Sequence, residues 1–299
     1  MNMLLYYHRD PLGNFGDDLN PWLWERLFPS AFAGCVVHDP RLRCEFDAKS
    51  SLFIGIGTLL NSNVPKENPK IVLGAGVGYG EQPVIDDTWR ILSVRGPLTA
   101  QRLGLPNHVG LIDPAVLAVD FSPLTGTESD RNVVSYMPHC GSARNANWAT
   151  IASEAGVNFI DPQWPVERVL SALRQTRLLI TEALHGAILA ESYRIPWVPV
   201  KSSPRVLEFK WNDWCLSIGL EYRPTRIPAL WPENEAWAAS LKAIVKRRIV
   251  VSRIRAIAAR ANGQLAGDGI FADKKGQLLD VIDKLRSELS SRVISNTAV

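Results

Sequence analysis

Over the first 230 of its 299 residues, this chain repeats short apolar runs separated by helix-like segments. That rhythm restricts it to α/β folds built on parallel sheets. In the first half, MLLYY (3–7), SLFIGI (51–56), KIVLGA (70–75), RILSV (90–94) and VGLI (109–112) are expected to be strands. NPWLWERLF, between the first two, is expected to be a helix with Asn20 as its cap and Pro21 in its first turn. The stretch DFSPLTGTESDRN (120–132) loses apolar content and gathers Pro, Gly, Ser and Thr, which marks a linker. The alternation then restarts: NVVSYM, VNFID, RLLIT and IPWVPV are expected strands, with helices near 145–155 and over PVERVLSALRQT and ALHGAILAESY. Two βαβ units in succession predict a second doubly wound domain. From residue 232 onward apolar residues recur at helical spacing in two long segments. The expected architecture is a Rossmann-like domain over 1–121, a second over 130–231, and an amphipathic helical tail over 232–299.

Composition narrows the function. A net charge of +3 is small for this length, so charge gives a nucleic-acid partner little support. Cys35, Cys44, Cys140 and Cys215 are far apart with no C-x-x-C pair, which argues against a zinc site or a disulfide framework. The short apolar run before His8, Arg9 and Asp10 is too little for a signal-peptide core or a membrane span, so a cytoplasmic protein is expected. The cations Lys246, Arg247, Arg248, Arg253, Arg255 and Arg260 sit in the first tail segment. The tail is expected to pack on the domains; a second reading rests those cations on anionic lipid headgroups at the inner face of the membrane.

Chemistry-bearing residues gather where strands give way to helices. In RLLITEALHGAILAESY the turn falls at Thr181 to His185, which places His185 at a helix N-terminus and at the carboxyl end of a strand. Open α/β sheets bind ligands at that edge, and exposed backbone N–H groups there favour anions. Gly186 would admit a phosphate or carboxylate close to the main chain. An imidazole so placed suits a general acid; the plain alternative is a neutral histidine bonded to a neighbouring carbonyl. Arg205 and Lys210 follow the next strand and are candidates for anion contacts. Lys201 is more simply a solvated surface cation.

In the first half, HRDPLGNFGDDLNPW follows the first strand with Asn14, Gly16, Asp17 and Asp18 in a loop leading into a helix. The carboxylates either cap the helix or deprotonate a hydroxyl. Arg95 lies between a strand and a helix opened by Pro97, a place that favours an anion contact over a surface ion pair. Asp113 in LIDPAVL and His139 in MPHC occupy comparable places. The glycines of GIGT and GAGVGYG do not have G-x-G-x-x-G spacing, and no GxxxxGK[ST] is present. Close-packed backbone or a tight substrate loop accounts for them better than a dinucleotide site.

GNFGDDLNPWLWERL, FIGIGTLLNS, SVRGPLTAQRLGL, DPAVL and TEALHGAILAESYRIPWV, in that order across roughly residues 5 to 220, resemble the polysaccharide pyruvyl transferase family, and most nearly its exopolysaccharide branch. The resemblance implies a GT-B-like pair of Rossmann-like domains. It also implies transfer of the enolpyruvyl group of phosphoenolpyruvate onto two hydroxyls of one sugar, giving a pyruvate ketal and phosphate. The sugar is expected on a lipid-linked oligosaccharide, with no cofactor or metal beyond the phosphoenolpyruvate donor. His185 matches the family's proposed acid, and Arg95 an arginine of its first domain. Many members carry arginine two residues before that histidine; Ala183 stands there in this chain. Arg205, Lys210, His139, Gly186, Asn14 and Gly16 are then the expected substrate contacts, and Asp17, Asp18 or Asp113 the base. A nucleotide-sugar glycosyltransferase on the same architecture and a noncatalytic scaffold of a polysaccharide assembly complex are the competing readings.

Overall fold

Two sheets of five parallel strands organise the computed structural model, which describes residues 3–37, 50–123, 131–204, 206–230, 241–260 and 262–297. Arg205 lies outside the described residues. The first sheet holds β1 (Met3–Tyr7), β2 (Phe32–Val37), β3 (Ser51–Ile54), β4 (Lys70–Leu73) and β5 (Trp89–Ser93) in the order β2-β1-β3-β4-β5. The second holds β6 (Val133–Met137), β7 (Asn158–Phe159), β8 (Thr176–Thr181), β9 (Trp197–Lys201) and β10 (Thr225–Arg226) in the order β10-β9-β8-β6-β7. Counted from its own first strand, each sheet runs 2-1-3-4-5, so the chain forms two Rossmann-like units of one topology. The strand order reverses between β1 and β3 in one unit and between β6 and β8 in the other. SLFI and KIVL are buried at every residue, as parallel strands covered on both faces must be.

The helices follow from the local sequence. In α1 (Phe15–Leu27) the cap is Asn14, whose Oδ1 accepts from the Gly16 N–H at 3.2 Å, so the helix starts six residues before the expected Asn20. Pro21 therefore lies inside α1 and cannot donate to the Asp17 carbonyl; the Asn20 amide side chain donates to that carbonyl instead, at 3.2 Å. Asn20 is buried, and also exchanges hydrogen bonds with the backbone N–H and C=O of Ile56, both at 2.9 Å. It therefore pins the loop after β3. α2 (Pro97–Arg102) follows β5. In the second unit, α3 (Cys140–Ala143), α4 (Trp148–Ala155), α5 (Val166–Arg174), α6 (Leu184–Ser192) and α7 (Glu208–Ser217) alternate with the strands. α5 buries Val166, Val169, Leu170 and Leu173, an i, i+3, i+4, i+7 stripe.

Two strand expectations are corrected. VGLI is not a strand: Asn107–Val109 is a 3-10 turn and Gly110 makes only an isolated bridge to Val94. Conversely, FAGCVV forms the edge strand β2, which its Ala-Gly pair disguises. The final segments are helices α8 (Leu241–Arg260) and α9 (Asp268–Thr297), and both pack on the units. α8 buries Val250 and Ile254 against α4 and the second sheet. α9 returns to the first unit, where Glu288 meets Arg90 at 2.7 Å and Lys275 meets Asp120 at 2.6 Å. The buried Glu191 secures the turn between these helices by accepting the Ala266 N–H at 3.1 Å.

The two units are joined through polar contacts as well as apolar packing. Asp213, on α7, accepts from Arg95 Nε at 3.1 Å, from the Thr99 N–H at 2.9 Å and from the Thr99 hydroxyl at 2.6 Å. Asp213 and Arg95 are both fully buried. Removing one member of such a pair strands the other in a low-dielectric interior. Asp213→Ala should therefore destabilise the chain by about 3–5 kcal/mol in urea unfolding, whereas Glu208→Ala, which breaks a part-exposed ion pair to Lys201, should cost under about 1 kcal/mol.

Candidate active site

The carboxyl ends of both sheets open on one cavity of about 450 Å³. It lies where the two reversals of strand order face each other. From the first unit come His8, Asp10, Asn14 and Asp17 after β1, Gly57 and Thr58 after β3, Tyr79 after β4 and Arg95 after β5. From the second come His139 and Cys140 after β6, Leu184 and His185 after β8, and Lys210 on α7.

His185 is the second residue of α6, and its ring meets Phe15 edge-on with centroids 6.4 Å apart. Gly16 backs directly onto the imidazole: a Cβ at that position would lie 2.1 Å from His185 Nδ1. Asp17 sits beside them in the first turn of α1, where Asn14 Nδ2 donates to its Oδ2 at 2.7 Å. Desolvation in the cavity raises the Asp17 pKa to about 6, against the opposing pull of His8, His185, Asn14 and Lys210. It is thus a carboxylate at neutral pH, but more basic than an ordinary aspartate.

Lys210 is the uncommitted cation of the cavity. Its ammonium has no hydrogen-bond or ion-pair partner among the described residues. Desolvation lowers its pKa from the ordinary lysine value and Arg95 adds to the fall, while Asp17 and Glu182 oppose it. Arg95 is differently placed from the sequence expectation. Three of its five N–H groups are taken, by Asp213, by Thr58 Oγ1 at 2.9 Å and by the Val77 carbonyl at 3.2 Å. It lines the cavity, but as part of a buried ion pair.

His139 accepts the Gly141 N–H on its Nδ1 at 3.1 Å, and desolvation reinforced by Lys210 and Arg144 depresses its pKa to about 3. A neutral imidazole there can hydrogen-bond a ligand but brings no charge. Gly16, which lies behind the His185 ring instead of facing a substrate, is the first of four other expected site residues that stand outside the cavity wall. Asp18 is half-buried beside it, its pKa raised by burial against the pull of Arg9. Asp113 is fully buried behind His185, with Oδ2 3.7 Å from Nε2, so it has no access to a substrate hydroxyl. Gly186 faces the sheet, where a Cβ would meet Met137 Sδ at 2.6 Å; the glycine lets α6 seat closely on β6 and β8.

Other contributors were missed from sequence. Glu182, fully buried, accepts on Oε1 from the Ser202 N–H (2.5 Å), the Ser202 hydroxyl (2.8 Å) and the Ser203 N–H (3.0 Å), and on Oε2 from the His139 N–H (3.3 Å). It ties together the ends of β6, β8 and β9. An acid just after the apolar run Leu178, Leu179 and Ile180 of β8 was the available signal. His8, Thr58, Asn61, Asn63 and Tyr79 add polar lining that no local pattern marked.

The polysaccharide pyruvyl transferase model matches residues 14–204, well over half of the chain. The chain belongs to the polysaccharide pyruvyl transferase family. It is also 34% identical to the succinoglycan biosynthesis protein ExoV of Rhizobium meliloti (strain 1021), over 95% of this chain and 98% of that protein. The region matched to the family contains Asn14, Asp17, Arg95, His139 and His185, whereas Lys210 lies beyond it. Most of the cavity lining thus falls within the matched region, with His8 and Asp10 just before it.

Because the folded-state pKa of Asp17 exceeds its unfolded value of 3.8, folding favours the protonated acid, and the stability this provides is lost as pH rises through about 6. Asp17→Asn should raise Tm by a few degrees at pH 7.5, and the gain should shrink towards zero near pH 4, as followed by calorimetry.

Proposed function

We propose that the protein transfers the enolpyruvyl group of phosphoenolpyruvate onto two hydroxyls of one sugar in an exopolysaccharide repeat unit, forming a cyclic pyruvate ketal. The sugar belongs to a lipid-linked oligosaccharide, and the two units act as the lobes of a GT-B-like enzyme. The observation that carries this reading is the company kept in one cavity: an imidazole, a carboxylate with pKa about 6 and an unpaired lysine, from two facing sheet edges.

Each residue has a step. Protonation of the methylene carbon of phosphoenolpyruvate turns C3 into a methyl group and leaves an oxocarbenium-like centre at C2; His185 gives that proton. One sugar hydroxyl attacks C2 and loses its proton to Asp17. The C2–O bond to phosphate then breaks, the second hydroxyl closes the ring and gives its proton to the departing phosphate, and Asp17 passes the first proton back to His185, which resets both groups. Lys210 holds the anionic groups of the donor and offsets the charge that collects on the leaving phosphate. With Ala183 at the position where many members carry arginine, that contact falls chiefly to Lys210, with Arg95 behind it. Asn14, Asn61, Asn63 and Thr58 are neutral hydrogen-bonding groups on the first-unit side, suited to sugar hydroxyls.

ExoV is named for succinoglycan biosynthesis, which fits an exopolysaccharide acceptor here. The test is release of phosphate from phosphoenolpyruvate with an undecorated repeat-unit glycolipid, and mass spectrometry of the product. His185→Ala should lower kcat by roughly 100-fold or more while phosphoenolpyruvate still raises Tm. Lys210→Met should weaken phosphoenolpyruvate binding by about tenfold or more, as one lost charge-assisted contact implies. Binding and turnover of a nucleotide sugar in place of phosphoenolpyruvate would contradict the reading.

A further inference from the structure

The geometry points to Asp113 as the positioning residue of His185: its buried carboxylate keeps a proton on Nε2 and leaves Nδ1 as the atom presented to the cavity. This assigns the reacting atom within the proposed function, on which its catalytic meaning rests.

Asp113 stands in the DPAVL segment of the first unit and caps the 3-10 helix Pro114–Phe121, with Oδ1 accepting the Ala115 N–H at 3.0 Å. That bond commits one oxygen. The other, Oδ2, is buried, has no hydrogen-bond partner among the described residues, and faces His185 Nε2 at 3.7 Å. Nε2 is likewise buried and without a hydrogen-bond partner. Two unsatisfied polar atoms sealed from water and turned towards each other are costly unless they pair. Their separation exceeds a hydrogen bond, and contacts of this kind are often long before substrate binds and shorten in the complex.

The loop is held from behind. Gly74 has φ +93°, and a Cβ there would lie 2.1 Å from the Pro114 ring, so the proline sits tight against the end of β4. An ionised carboxylate only accepts, so its partner Nε2 must carry a hydrogen. In the neutral ring Nδ1 then holds the lone pair; in the charged ring its N–H is the proton available for delivery. Nδ1 is the nitrogen on the Gly16 side of the ring, and of the two ring nitrogens only Nε2 is sealed from solvent, on a side chain that lines the cavity. Asp113 also stabilises the imidazolium from the side away from the substrate, as a buried aspartate does in a Ser-His-Asp triad.

Asp113→Asn tests this, because its geometry predicts a particular failure. The amide oxygen keeps the Ala115 N–H, so the cap survives, and the amide N–H₂ turns towards Nε2. The ring must then accept at Nε2 and move its proton to Nδ1. Long-range ¹H–¹⁵N NMR of the full chain with labelled histidine, with His185→Gln to assign the resonance, reads the tautomer directly. The expected result is Nε2–H in the wild type and Nδ1–H in Asp113→Asn, with kcat down at least about 100-fold and KM for phosphoenolpyruvate changed by less than about threefold. Nδ1–H in the wild type, or one tautomer in both proteins, overturns the assignment. Should the variant not fold, the wild-type spectrum decides alone. The tautomer needs no substrate, so absence of any phosphoenolpyruvate turnover would sink the proposed function without touching this result.

Discussion

The buried carboxylate of Asp213 is the contact on which the rest of the site depends. It belongs to the second unit, yet its partners, Arg95 and Thr99, follow the last strand of the first. Arg95 extends the connection to Thr58 and Val77, in the loops after β3 and β4. One acid thus fastens three loop ends of one sheet to a helix of the other. Lys210 lies three residues earlier on that helix, on nearly the same face, so the junction that docks the units also delivers the free cation to the cavity. Buried ion pairs add little net stability over an apolar contact but are costly to break; here the pair sets how the two sheet edges meet.

Bond counts separate the structural acids from the reactive one. Glu182 accepts four hydrogen bonds and Asp213 three. Asp17 accepts one side-chain bond, from Asn14, and pays for its desolvation with a pKa near 6. A carboxylate that well-placed donors do not satisfy remains available to take a proton. The glycines make a related division of labour. Gly55, Gly74 and Gly76 admit Trp24, Pro114 and Arg95 at distances no Cβ would allow, whereas Gly57 and Gly80 line the cavity itself.

Much of this was legible in the sequence where local pattern and tertiary need agree. The apolar runs that became β1, β3, β4, β6, β8 and β9 are buried strands, and the turn before His185 lies where strand gives way to helix. What could not be read depends on partners distant in sequence. Asn20 looks like a cap, but its amide is used by Ile56, thirty-six residues on. Asp113 looks like a loop acid open to substrate, and only the docking of α6 puts it behind the imidazole. Asp213, between Trp211 and Trp214, carries no local signal, and its burial exists only because α7 meets α2. The matching 2-1-3-4-5 order of the two sheets leaves no repeat in the residues, because topology constrains burial and not identity.

The central claim is that phosphoenolpyruvate lies between His185 and Lys210 where the two sheet edges face each other. A crystal structure of the complex with phosphoenolpyruvate tests it most directly. The account predicts the methylene carbon beside His185 Nδ1, with the phosphate or carboxylate on the Lys210 ammonium. Phosphoenolpyruvate bound elsewhere, or bound here with its methylene carbon turned away from the imidazole, would contradict it.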